Sequence, residues 1–429
     1  MMGRFRVQNR GPFLGQADFD LTASHYKEHP SHLLHLEGSH PSLLRNALIV
    51  GDNGSGKSVL LEAIRYIRDR VVRCPEPEEG MNARMFRIRG GAKHLSASYV
   101  YSFYHEGVRY RFRLSISPRH VVHEMLYRVD TLPGTQGAAL YHRWNRGETT
   151  RARPIRPQME KVQDIRALHR MAAATPRNGI LLAHAEEEGL EMLVPLLNYF
   201  RQSIRIIPGR DEVPLMDILA ARPGSPFYRY LREHLAAVQA DGLLQGTHYE
   251  EHEGTLGSWN HYRLQKARIS NTGEIMTEGL AWYLQQLACI YDAHRNGKLL
   301  IIDGLDRGLH PRVARRLLKC CVEPWSGPAI SDSRPSHANS PNSSSKANSS
   351  SKANSSNKSS KPSKASNAQF VLTAHDPVLL DLSLLRRDEI WLVEKDASTG
   401  TSTLRNLREM GLRNDLRLGR AYLEGRLKG

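Results

Sequence analysis

One short stretch near position 50 has the residue types and spacing of a phosphate-binding loop. Its glycines would let successive backbone N–H groups curl around a β-phosphate. Lys57 would neutralise the β- and γ-oxygens, and the Ser58 hydroxyl would ligate Mg²⁺. The loop reads GDNGSGKS and consists of Gly51, Asp52, Asn53, Gly54, Ser55, Gly56, Lys57 and Ser58. The pattern G-x-x-x-x-G-K-[ST] therefore predicts a site for ATP and Mg²⁺.

The segments on either side of this loop have the patterns that the motif requires. NALIV, residues 46–50, is a short apolar run typical of a buried strand. After the loop, Leu60, Leu61, Ile64 and Ile67 recur on one face of a predicted helix. This context makes an accidental glycine turn a much poorer explanation of the pattern.

A carboxylate follows a second apolar strand. The run KLLIID, residues 298–303, ends in Asp303, which would hold the same magnesium through water. A buried strand that ends in aspartate is common by itself. Together with the phosphate loop, however, Asp303 becomes a strong candidate for the second metal-site residue beside Ser58.

Two further motifs are suited to contact a γ-phosphate. MTEGL, residues 276–280, opens a predicted helix, whose N-terminus would cradle the phosphate with a hydroxyl and a glycine. TAHDP, residues 373–377, follows another apolar strand, and His375 would sense the same phosphate. Each motif alone is more often an ordinary helix start or a surface histidine. The prediction therefore depends on the occurrence of both motifs together with the phosphate loop.

The remaining patterns predict the elements that hold these motifs. Residues 5–23 alternate as two strands joined by a turn, and residues 96–128 predict an antiparallel sheet. From about 161 to 244 the spacing is helical, with few strand formers. Strands and helices alternate on both sides of this segment, which predicts an α/β fold with a largely parallel sheet.

One segment, residues 331–367, differs from the rest because Ser, Asn and Lys dominate it. It has almost nothing to bury, so we expect a disordered, solvated insertion; a positive tail that touches phosphates is the alternative. The chain carries a formal charge of +16, which allows a nucleic-acid partner. That clue is weak, because about six of the charges lie in this segment.

The bulk composition predicts a globular protein of the cytoplasm. No apolar run approaches the roughly 20 residues that span a bilayer, and the N-terminus lacks the layout of a secretory signal. Cys74, Cys289, Cys320 and Cys321 form no CxxC motif, which fits reduced thiols rather than a disulfide framework.

Two other motifs have simpler explanations than the chemistry they suggest. HYEEH, residues 248–252, matches a zinc-protease pattern, but its glycine-rich surroundings predict a loop rather than the helix that zinc binding needs. VRYRFRL, residues 108–114, interleaves Tyr and Arg as in nucleic-acid stacking surfaces, although an amphipathic strand explains it more simply.

The order of the nucleotide motifs resembles that of ABC-type ATPases of the RecF/SMC/OLD class. It is more closely similar to stand-alone ATPases of bacterial anti-phage systems, such as RloA and the ATPase subunit of PARIS. The resemblance covers most of the chain, and the two segments most particular to the defence group are LLRRDEIWLVEKD and the ending GRAYLEGRLKG. It implies an ABC-ATPase-type P-loop NTPase domain with a parallel core sheet, an antiparallel β lobe and a helical insertion.

For the site residues, the resemblance implies a signature motif at Thr277, Glu278 and Gly279 that reaches ATP on the Lys57 of a second protomer. ATP would then join two protomers in a homodimer or higher oligomer. His375 would be the switch histidine. A separate effector protein, such as a TOPRIM-type nuclease, would be the partner.

Gly304 departs from the pattern of this class, which has Asp-Glu where this chain has Asp303 and Gly304. The glutamate polarises the attacking water, and its loss typically removes roughly 10²- to 10⁴-fold of rate. Asp306 would substitute only in a remodelled loop, because a carboxylate two residues further on usually points elsewhere. We therefore expect ATP binding with slow or absent hydrolysis.

Three functions remain open on the sequence alone: a defence-system sensor and scaffold, a working RecF/SMC-like DNA-repair ATPase that clamps or moves on DNA, and a DNA-binding module with a vestigial nucleotide site.

The predicted parts of the chain are residues 1–160 with the phosphate loop and β lobe, 161–245 as the helical insertion, 246–330 with the signature and Asp303, 331–367 as the disordered insert, and 368–429 with His375 and the C-terminal tail.

Overall fold

The computed structural model describes residues 1–38, 40–73, 96–129, 138–146, 149–154, 162–238, 278–323, 367–411 and 417–427. Several predicted features lie outside these residues. They are the HYEEH motif, Thr277, Cys74 and nearly all of the 331–367 insert.

Six strands form the core sheet, in which the first five are parallel and the last pair is antiparallel. The inner strands are continuous buried apolar runs, as expected where helices cover both faces of a sheet. The predicted parallel sheet is confirmed. In spatial order the strands are β11 (Ile204–Ile207), β12 (Leu299–Ile302), β13 (Gln369–Ala374), β5 (Asn46–Val50), β14 (Ile390–Lys395) and β15 (Ser402–Asn406).

A second sheet contains seven strands, and all of its neighbouring pairs are antiparallel. This arrangement confirms the strands predicted for residues 5–23 and 96–128. A separate two-stranded ribbon joins β3 (Leu33–Leu34) to β4 (Leu43–Leu44). In spatial order the seven strands are β10 (Thr149–Pro154), β9 (Ala138–Arg146), β8 (Val121–Val129), β7 (Val108–Ile116), β6 (Ala97–His105), β1 (Met2–Gln8) and β2 (Ala17–Asp20).

Helices fill the space around the core sheet. The described helices are α1 (Lys57–Val72), α2 (Val162–Ala174), α3 (Val194–Gln202), α4 (Leu215–Leu219), α5 (Pro226–Ala236), α6 (Glu278–Asn296), α7 (Pro311–Val322) and α8 (Leu418–Leu423). The apolar face of α1 lies in one core cluster with residues of both sheets, while α6 and α7 pack in a second cluster. Alternate residues of β5 belong to different clusters, since Ile49 lies in the first cluster and Leu48 in the second.

The segment from about 161 to 244, predicted to be helical, contains an additional strand. The run IRII of β11 pairs in parallel with β12 and forms the edge of the core sheet. Four residues are too few for a periodic signal. Because the spacing on both sides of them is helical, the whole segment was predicted to be helical. None of the described helices is long and apolar enough to cross a membrane.

One buried side chain ties the core sheet to its neighbours. The Gln369 amide nitrogen donates to the carbonyl oxygens of Met2 (2.9 Å) and Leu44 (3.0 Å). Its amide oxygen accepts from the Met2 backbone N–H at 2.8 Å. Because a buried backbone group without a partner is costly, this contact fixes β13 against β1 and β4.

Candidate phosphate-binding site

The predicted site residues meet at the carboxyl ends of three adjacent parallel strands. The phosphate loop follows β5, His375 follows β13, and Asp303 follows β12. Ligands of open parallel sheets bind outside these strand ends. A cleft of about 410 Å³ opens here, lined by Gly11, Pro12, Gly54, Gly56, Lys57, Ser58, Val59, His375, Lys395 and Gly400.

The loop before α1 depends on its glycines. Gly54 and Gly56 have φ angles of 75° and 115°, a left-handed region in which other L-residues are strained. A Cβ atom at Gly51 would collide with the carbonyl oxygen of Val393 in β14. The loop therefore keeps its backbone against the sheet, and α1 begins at Lys57 with its N-terminal N–H groups beside the cleft.

Lys57 lies at the centre of the site. Its ammonium donates to the carbonyl oxygens of Gly51 (2.7 Å) and Asp52 (3.0 Å) and lies 3.3 Å from His375 Nδ1. Burial lowers the pKa of Lys57, and the carboxylates of Asp303, Asp306 and Asp52 oppose that shift. An anionic phosphate in the cleft would favour the charged form further.

Asp303 and Ser58 are brought together as the metal-site prediction requires. The Ser58 hydroxyl donates to Asp303 Oδ1 at 3.1 Å. A hydroxyl and a carboxylate are the hard oxygen ligands that Mg²⁺ prefers, usually together with waters and substrate phosphates. The donor set thus fits Mg²⁺ next to a nucleotide.

The structure adds Thr373 and Trp282, which sequence reasoning did not single out. The Thr373 hydroxyl donates to Asp303 Oδ1 (2.7 Å) and accepts from the Gly304 N–H (2.7 Å). The Trp282 indole donates to the Gly304 carbonyl oxygen at 2.9 Å. Both backbone groups of Gly304 are therefore held, and its φ of 85° lies in the left-handed region. Thr373 was within the TAHDP motif, whereas nothing in the sequence indicated Trp282.

Asp306 supports the segment that carries the histidine. Its Oδ2 atom accepts from the backbone N–H groups of His375 (2.8 Å) and Asp376 (2.6 Å). Its other oxygen is inaccessible to solvent and has no hydrogen-bond partner among the described residues. Asp306 thus acts as a positioning residue for His375.

Glu278 and Gly279, the described part of the signature motif, do not line the cleft that Lys57 occupies in the same protomer. They begin α6, which rests on the loop after Asp303: a Cβ atom at Gly279 would collide with the carbonyl oxygen of Gly308. Glu278 accepts from Arg307 Nη2 at 2.9 Å, and its side chain is 82% exposed. Glu278 therefore faces solvent, whereas Gly279 packs against the loop after Asp303.

The helix α8, which is the last described helix of the chain, also contacts the site. The Tyr422 hydroxyl donates to Asp52 Oδ1 at 3.3 Å, and burial together with the nearby Asp52 carboxylate raises the pKa of Tyr422 to about 12. Gly419 packs so closely on the Pro377 carbonyl that a Cβ atom there would lie 2.6 Å away. A single helix thus contacts both the phosphate loop and the segment after His375.

Comparisons with known proteins gave a family match over part of the chain and a match to a solved structure. Residues 47–151 match the family described as "AAA domain, putative AbiEii toxin, Type IV TA system". A solved structure, the SMC head domain from Thermotoga maritima, is 12% identical, covers 94% of this chain and 98% of that chain, and has a TM-score of 0.39. No curated protein sequence matches the chain. The site geometry and the match to an AAA domain over residues 47–151 support nucleotide binding.

Replacing Lys57 tests the nucleotide site directly. Lys57→Ala removes the cation that faces the cleft, so we expect the affinity for Mg·ATP to fall roughly 100-fold or more, since charge-assisted hydrogen bonds are lost. Isothermal titration calorimetry measures the change. Lys319→Ala, which removes an exposed lysine of α7, is the matched control and should leave affinity unchanged. Equal affinities for the two variants would contradict the site.

Proposed function

We propose that this chain is the ATP-binding subunit of an anti-phage defence system, and that ATP assembles it into a sensor and scaffold. In this role it holds a separate effector nuclease until a trigger arrives. The observation that carries the proposal is that Lys57, Ser58 and Asp303 lie together beside a position, Gly304, that has no catalytic carboxylate. The description of the matched family, which names a toxin of a type IV toxin–antitoxin system, favours a conflict-related role.

Nucleotide binding depends on residues that the structure places together. The loop N–H groups and Lys57 bind phosphate oxygens, while Ser58 and Asp303 would hold Mg²⁺. Bound Mg²⁺ would offset the negative charge of the phosphates. Thr373 orients Asp303, and Asp306 orients the backbone of His375.

Hydrolysis lacks a positioned base in the described part of the site. Gly304 offers no side chain, and the nearby Asp306 carboxylate is directed to the backbone N–H groups of His375 and Asp376. A general base contributes roughly 10²- to 10⁴-fold to rate. The bound triphosphate should therefore persist, which suits an assembly that must wait for a signal.

The exposure of Glu278 supports assembly between protomers. Its side chain is 82% exposed, and Glu278 is not among the residues that line the cleft. The helix N-terminus that begins there would provide N–H groups for the γ-phosphate of a second protomer. ATP would thus be shared between two copies, and its loss would release them.

The first prediction from the proposed function concerns hydrolysis. Gly304→Glu supplies a carboxylate next to Asp303, so we expect steady-state phosphate release to rise at least tenfold above a slow wild-type rate, within the range that a general base contributes. Gly304→Gln is the matched control, because it bears the same strain at a left-handed φ, about 1 kcal/mol, but has no base. Rapid magnesium-dependent release by the wild-type protein would instead favour the repair-type ATPase.

The second prediction concerns assembly. Wild-type protein should form a dimer or larger species with Mg·ATP, measured by light scattering after size exclusion, and should dissociate without nucleotide. Glu278→Arg should block this assembly yet keep ATP affinity, because Glu278 lies outside its own cleft. Glu323→Arg, which changes another exposed, ion-paired glutamate, should assemble normally. An ATP-bound wild-type protein that stays monomeric would refute the proposal.

The third prediction concerns the effector. Co-expression with the product of the adjacent gene should yield a stable complex that contains bound ATP, and Lys57→Ala should not retain the partner. Mass spectrometry and nucleotide extraction of the purified complex provide the measurement. Retention of the partner by Lys57→Ala would separate scaffolding from nucleotide binding and contradict the proposed mechanism.

A further inference from the structure

The outer face of the seven-stranded sheet carries a row of arginines. Along β7, Phe112 and Leu114 are buried, whereas Arg109, Arg111 and Arg113 alternate with them and point to the opposite face. Residues two apart on a strand lie about 7 Å apart on the same face. The three arginine side chains therefore leave β7 on the same face, and we call these three residues the arginine row.

No carboxylate in the described strands neutralises the arginine row. Arg109, Arg111 and Arg113 stand opposite Tyr104, Ser102 and Val100 of β6, and opposite Val129, Tyr127 and Met125 of β8. All six of these neighbours are uncharged. The described ion pairs of the chain include none of the three arginines.

An internal comparison on the same sheet makes this lack of carboxylate partners among the described residues significant. Arg4 and Arg6 of β1 are paired with carboxylates of β2: both contact Asp18, and Arg4 also lies 3.5 Å from Asp20. The fold thus neutralises the arginines at one end of the sheet. It leaves those of β7 as excess positive charge.

The excess charge has a cost for the isolated protein. Burial, followed by the charges of Arg109, Arg113 and Arg6, lowers the pKa of Arg111. Like charges on neighbouring positions of a sheet are destabilising, and a polyanion on this face would relieve that repulsion. This arrangement of arginines is therefore more favourable when a polyanion is bound to the face than in the free chain.

Aromatic rings lie directly beside the arginine row. The Arg113 guanidinium lies 5.6 Å from the ring centre of Tyr127 on β8. Next to it on β9, the rings of His142 and Trp144 are 4.9 Å apart. These three residues share the outer face, and each is partly exposed. On β10, Arg153 and Arg151 occupy the register positions opposite His142 and Trp144.

We propose that this face binds single-stranded nucleic acid. Phosphates would contact the arginine row, while unpaired bases would stack on Tyr127, His142 and Trp144. A basic track beside aromatic rings is the arrangement by which proteins bind single strands, since every base presents a flat face for stacking. An acidic protein would use the charges but would have no need of the adjacent rings. This binding goes beyond the proposed ATP-dependent assembly and does not require nucleotide.

The simplest test measures fluorescence anisotropy of a labelled oligonucleotide of about 16 nucleotides, with the full chain and increasing salt. The variant Arg109→Gln/Arg111→Gln/Arg113→Gln should bind at least 30-fold more weakly, and its plot of log affinity against log salt should lose a slope of about 2. The charge-matched control is Arg170→Gln/Arg201→Gln/Arg222→Gln, which removes three exposed arginines elsewhere and should bind normally.

A second variant separates stacking from charge. Tyr127→Leu keeps an apolar side chain but removes a ring, so binding should weaken roughly tenfold without a change in salt slope. Lys57→Ala should bind oligonucleotide as well as the wild type does, so this test and the ATP tests can fail independently. Far-UV circular dichroism and thermal unfolding confirm that each variant folds.

Three outcomes would overturn the proposal. Equal loss of binding in the two triple variants would show that only net charge matters. Duplex or polyglutamate that binds as tightly as the single strand would point to a duplex or to an acidic protein instead. An unchanged affinity for both Tyr127→Leu and the arginine-row triple variant would place any nucleic-acid binding elsewhere.

Discussion

The site depends on the parallel pairing of β5, β13 and β12. This pairing brings the ends of three strands to one edge of the sheet, although Lys57 and His375 are 318 residues apart in the chain. Register then sets the details: the Thr373 hydroxyl near the end of β13 reaches Asp303 after β12 and also holds the Gly304 N–H. Without this alignment, the phosphate loop would be a glycine turn with no metal-side carboxylate.

Under the proposed function, binding and hydrolysis would be separable in this site, because different atoms would contribute to each. The loop backbone, Lys57, Ser58 and Asp303 form contacts suited to a triphosphate, and none of them needs a side chain at position 304. Gly304 is also fixed in the left-handed region by its contacts with Thr373 and Trp282. The loop is therefore shaped around a glycine, and a residue with a side chain would alter its backbone as well as add a functional group.

Local signals in the sequence predicted the parts of the fold that local physics determines. The strand and helix around the glycine loop, the apolar run before Asp303 and the alternating strands each have a local sequence pattern, and the structure confirms those elements. Contacts between distant segments had no such signal, so the roles of Trp282, Asp306 and Tyr422 became apparent only from the structure. β11 was missed because four residues give too short a pattern. The VRYRFRL strand was read correctly as amphipathic, but the neutral neighbours of its arginines depend on register.

The position of β5 also affects how the protein matures during synthesis. β5 and the phosphate loop are translated before β13 and β14, between which β5 lies and which come more than 300 residues later in the chain. Tyr422 of α8, the hydrogen-bond partner of Asp52, is translated later still. The phosphate loop of a nascent chain therefore lacks its neighbouring strands until β13 and β14 have been made. Tight capture of nucleotide would require those later segments to be in place.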